Sequence, residues 1–138
     1  MKKGDKTVDL FYIQLAAVID AIIFGSISIF QVLLAAGLPL GKVAWGGNHR
    51  ILPVNLRIAS AVSPILLIGG SILILHQARI ISLNLDPLLA GTLIWIFTVL
   101  TGFTVLLNIF SKSKIERLIM TPLAGIGFLS CLFVAIFS

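Results

Sequence analysis

One carboxyl group stands apart in this chain. Asp20 lies in the run AAVIDAIIF, enclosed on both sides by apolar residues. Ionised in hydrocarbon, such a group costs about 2.5–3.5 kcal/mol at the least, so its chemistry there is narrow. It can hold a proton or a cation along a polar pathway. Alternatively it sits neutral, hydrogen-bonded to a Ser, Thr or Asn of a neighbouring helix. Gln31 follows on the same apolar stretch. At about 100° per residue it returns to within about 20° of the face that carries Asp20. Asp20 and Gln31 are therefore expected to line one intramembrane polar seam.

Two further groups carry polar chemistry. The segment WGGNHR offers Trp45 at headgroup depth, a glycine pair that permits positive φ angles, and donors from Asn48, His49 and Arg50. It reads as an interfacial turn, or as a cradle for an anion or lipid headgroup. Lys112, Lys114, Glu116 and Arg117 form an interfacial charge cluster able to grip a lipid phosphate or simply to mark a helix entry. His49 and His76 are the only histidines and Cys131 the only cysteine. Their spacing completes no zinc set, so neither a metal nor a cofactor is expected. Cys131 permits no internal disulfide. The chain has no HExxH motif, P-loop or Ser-His-Asp pattern, and it is not expected to be an enzyme.

The elements that hold these residues follow from composition. Of 138 residues, 59% are hydrophobic and 11% charged, against about 25% charged in an ordinary soluble domain. A soluble chain this short could not bury so much apolar surface. The net charge of +5 could suggest nucleic acid. Its basic residues, however, fall between apolar runs without interleaved aromatics, as they do when they flank membrane spans. Nucleic acid is not an expected partner; the lipid bilayer is.

A helix needs about 20 residues to cross roughly 30 Å of hydrocarbon. Four stretches qualify, at about residues 10–37, 58–78, 88–110 and 115–137. The first begins after Lys2-Lys3 but is too long for a signal-peptide core, and is expected to be a retained span. Asp86-Pro87 gives the third a capped entry with proline at its first turn. Ser113 and Glu116 give the fourth a capping-box pattern. Pro64 and Pro122 are placed in first turns, where proline is tolerated. The expected fold is an all-α integral membrane four-helix bundle, one domain, with both termini on the same side and one long connection, residues 38–57.

Small or polar residues recur at helical spacing on each span, and such stripes let membrane helices pack closely. They are Ala17, Ala21 and Gly25; Ala59, Ser63, Gly70 and Gln77; Gly91, Thr98 and Gly102; and Ala124, Gly127, Cys131 and Ala135. Lys2, Lys3, Lys6 and Arg79 fall on one membrane side, with Lys42, Arg50, Arg57, Lys112, Lys114 and Arg117 on the other. Four cations against six admit either orientation, or both. Two functions fit these features, with an intramembrane enzyme as a remoter third. One is a non-catalytic accessory, assembly or lipid-interacting protein of the plasma membrane, partnered by its own copies or by another membrane protein. The other is a small oligomeric transporter or channel for an ion or small solute, centred on Asp20.

Overall fold

The computed structural model describes residues 3–138, with side chains from Leu10 onward. Lys2 therefore lies outside the described residues, as do the side chains of Lys3 and Lys6. The described residues form four α-helices and no strand: α1 (Lys3–Ala35), α2 (Val54–Gln77), α3 (Pro87–Ile109) and α4 (Lys114–Phe137). Each is long and apolar enough to cross a membrane. The fold is an all-helical four-helix bundle.

Why these boundaries arise is local chemistry. α1 stops at Ala35, two residues before the expected end, because Gly37 takes a left-handed φ of 91°. The Leu38 N–H then returns to the Leu33 carbonyl at 3.2 Å, closing the helix with a glycine cap. The Arg57 guanidinium covers that terminus from α2, donating from Nε to the Ala35 carbonyl at 3.0 Å. α2 starts at Val54, directly after Pro53 and four residues earlier than expected. Pro64 consequently lies well inside α2; Pro122, the ninth residue of α4, also lies beyond the first turn, although that helix starts within one residue of its expected start. Asp86 caps α3 through its side chain, accepting the Leu89 N–H at 3.1 Å.

Packing inverts the pattern of a soluble protein. The outer faces carry Ile22, Ile65, Leu88, Val99 and Leu118, each more than half exposed. The interior holds Asp20, Ser28, Ser71, Thr98, Thr101 and Ser130 among its apolar residues. Lipid-facing surface outside and hydroxyl-rich helix contacts inside are what a bilayer solvent selects. α1 packs chiefly on α2 and α4, and α3 on α4. Of the four neighbouring pairs of helices, α2 and α3 touch least, leaving an apolar groove of about 350 Å³ between them, lined by Leu66, Gly69, Leu93 and Leu100.

The stripe on α4 is buried at Ala124, Gly127, Cys131 and Ala135. On α1 the buried line is rotated from the expected one. It runs through Ile13, Ala17, Asp20, Phe24, Ser28 and Leu34, while Gly25 borders a lipid-facing groove with Pro64 and Ile68.

Candidate functional site

Asp20 sits where the four helices converge. It is 0% exposed, and among the described residues neither carboxylate oxygen has a hydrogen-bond partner. The expected hydroxyl from a neighbouring helix does not reach it. Cys131 of α4 is close enough to sense the Asp20 charge, and its Sγ lies 3.4 Å from the Thr98 hydroxyl oxygen of α3. Thr98 donates to the Ile94 carbonyl at 2.7 Å, and Thr101 to the Thr98 carbonyl at 2.8 Å. Hydroxyl protons directed to backbone carbonyls are not available to Asp20.

The Gln31 Oε1 is likewise buried without a partner. It is separated from Asp20 by Phe24, whose ring stands edge-on to Phe97 of α3 at 5.6 Å between centroids. Each ring fits a glycine on a facing helix. A Cβ at Gly127 would lie 2.7 Å from Phe24, and a Cβ at Gly70 would overlap the Phe97 ring. The expected seam is therefore two separate polar points divided by an aromatic pair. Thr98 and Cys131 were visible in the sequence as packing residues; Thr101 and Ser71, which also face inward, carried no signal of their own.

The second site is built by residues 36–53, at the end of the bundle where α2 and α4 begin. Two short 3-10 turns, Gly41–Val43 and Trp45–Gly47, fold this segment onto α4. Trp45, Gly46 and Gly47 take successive positive φ values of 51°, 81° and 73°. The turn presents the Gly46 N–H to the Glu116 carboxylate at 3.0 Å, and Ser111 donates its hydroxyl to the same oxygen. Ser113 accepts the Glu116 N–H at 3.2 Å and donates to the Lys42 carbonyl at 2.5 Å. Trp45 donates from Nε1 to Ser60 of α2 at 2.9 Å.

Glu116 is thus a correction to the expected charge cluster. It is buried and spent on the loop, not presented to the interface. Only half of the capping box forms, because the Glu116 carboxylate turns to Gly46 and Ser111 rather than back to Ser113. Arg117 leans inward as well, donating to the Ser111 carbonyl at 2.6 Å. Asn48, His49, Arg50, Lys42, Lys112 and Lys114 remain exposed around this core. His76 lies at the other end, where its Nδ1 accepts the Leu83 N–H at 3.1 Å and orders the α2–α3 connection. Among the described residues no three or more His, Cys, Asp and Glu side chains are grouped to hold a metal ion.

Compared with known proteins, the chain matches no family model, no curated protein and no solved structure.

Proposed function

We propose that this chain is a non-catalytic accessory protein of the plasma membrane that binds anionic lipid headgroups through its folded-loop face. The observation that carries this reading is a charge imbalance at one end of the bundle. Lys42, Arg50, Arg57, Lys112, Lys114 and Arg117 gather there. The only acid among them, Glu116, is buried against Gly46 and Ser111. Each Lys or Arg near an anionic membrane surface contributes about 1 kcal/mol of attraction. Ordering the loop on α4 sets these cations around one rigid patch, so less side-chain and backbone freedom is lost on binding.

A conducting role draws less support. Phe24 and Phe97 divide the polar line along α1, and the two grooves between helices are lined almost wholly by apolar side chains. The test is lipid retention. Protein reconstituted with a mixture of phosphatidylglycerol and phosphatidylcholine, then returned to detergent, is expected to carry phosphatidylglycerol selectively in native mass spectra. Substituting Lys42, Lys112 and Lys114 together by Gln should abolish that selectivity without unfolding the bundle. Equal retention of both lipids by the native chain, or selectivity untouched by the triple substitution, would overturn the proposal.

A further inference from the structure

We infer that Asp20 is the anionic centre of an occluded site for one monovalent metal cation of the sodium class, completed from the group that Cys131 of α4 forms with Thr98 and Thr101 of α3. The inference stands apart from lipid binding at the loop face and uses different residues.

Its first basis is the carboxyl itself. Asp20 is enclosed by protein, and neither oxygen has a partner among the described residues. Buried polar groups in folded proteins are hydrogen-bonded as a rule, and an exception signals an ion, a water or a functional demand. The second basis is that the four spans supply no Lys or Arg of their own. No Lys or Arg occurs in residues 10–35, 58–77, 87–109 or 118–137. His76 stands at the end of α2 and is engaged by Leu83.

The third basis is the chemistry of the neighbours. Thr98 and Thr101 send their hydroxyl protons to backbone carbonyls, which leaves their oxygen lone pairs for a positive ligand. Charge then selects the valence. One carboxylate and one monovalent cation form a neutral pair, whereas a divalent ion would leave net charge in a low-dielectric interior. Oxygen donors favour a hard cation over a soft one. Access is restricted on the loop side by the Phe24–Phe97 pair and on the other by Ile13, Ala17 and Ala90. Exchange therefore requires the helices to part, and the sparsely packed α2–α3 side is the place where they part most easily.

Dicyclohexylcarbodiimide, an apolar reagent that modifies protonated carboxyls within membrane proteins, reads the occupancy directly. The full chain in detergent is treated in sodium, potassium or choline chloride at equal pH and ionic strength, and the adduct is localised by mass spectrometry. Asp20 is expected to be modified in choline and several-fold more slowly in sodium. Asp20→Asn should give no adduct at that position. Thr98→Val should keep the modification in choline but lose much of the sodium protection, and it decides the matter even if Asp20→Asn fails to fold. Equal rates in all three salts would overturn the cation site and leave a proton as the sole occupant. Absence of any Asp20 adduct in choline would overturn it too.

Discussion

The Gly46 backbone N–H meets the Glu116 carboxylate at 3.0 Å, joining a strained turn of the long loop to the first turn of α4. The carboxylate lies at a helix N-terminus, where negative charge is favoured, and it also takes the Ser111 hydroxyl. Removing it leaves two donors unpaired. Glu116→Ala is expected to cost about 1.5–3 kcal/mol, the range for hydrogen bonds to a charged group. The loop should loosen before the bundle does. Limited trypsin digestion should then cut faster after Lys42 and Arg50, while helix content measured by circular dichroism changes little. Glu116→Gln keeps one acceptor and should fall between. Unchanged cleavage in Glu116→Ala would mean that the loop is held by other contacts.

Gly46 and Gly47 both have positive φ, but their surroundings differ. A Cβ at Gly47 would come within 2.7 Å of the Ser113 Cβ, whereas at Gly46 the nearest atom is the Asn48 side-chain nitrogen at 3.7 Å. Gly46→Ala should cost about 1–2 kcal/mol from left-handed strain alone. Gly47→Ala should cost more, because it also displaces Ser113 and its bond to Lys42. Thermal unfolding of the two variants in one detergent checks the order; equal losses would show that strain, not packing, governs both.

A second glycine pair tests the bundle itself. Gly69 has open space around its Cβ position, while Gly70 faces the Phe97 ring. Gly69→Ala should be neutral or stabilising by up to about 0.5–1 kcal/mol, as when a helix interior loses a glycine. Gly70→Ala overpacks the α2–α3 contact and should cost about 1–3 kcal/mol. Phe97→Leu in the same chain should recover part of that loss. Titration with sodium dodecyl sulfate in mixed micelles, followed by circular dichroism, measures both.

Helix number and type were legible because the spans are long and their solvent is apolar, so composition alone marks them. The ends were less so. The apolar run continued past Ala35 and carried the expected first span to residue 37, whereas the left-handed Gly37 ends the helix two residues earlier. The Ser113–Glu116 spacing announced a helix start correctly, but spacing cannot say that Gly46, 70 residues away, would claim the carboxylate. Asp20 was conspicuous for its cost in hydrocarbon. What surrounds it was not, because which residue of α3 or α4 stands beside it depends on helix rotation. The Ala17–Ala21–Gly25 stripe suggested a rotation that the bundle does not adopt, and Phe24 instead occupies the line between Asp20 and Gln31.

Asp20 also sets the sign of a stability test. A buried polar group without a partner destabilises by about 1–3 kcal/mol, and replacing it with alanine removes that penalty. The small void left behind costs about 1 kcal/mol, so the net change in choline chloride should be neutral to stabilising. In sodium chloride the order should shift. Ligand that binds only the folded state stabilises it by mass action, so the native chain gains with rising sodium while Asp20→Ala does not. Unfolding midpoints in sodium dodecyl sulfate titrations, taken in both salts, should therefore converge or cross. If Asp20→Ala is instead less stable by more than about 2 kcal/mol in both salts, the carboxyl makes bonds to the protein that matter to the fold. If its advantage is the same in both, sodium does not bind there.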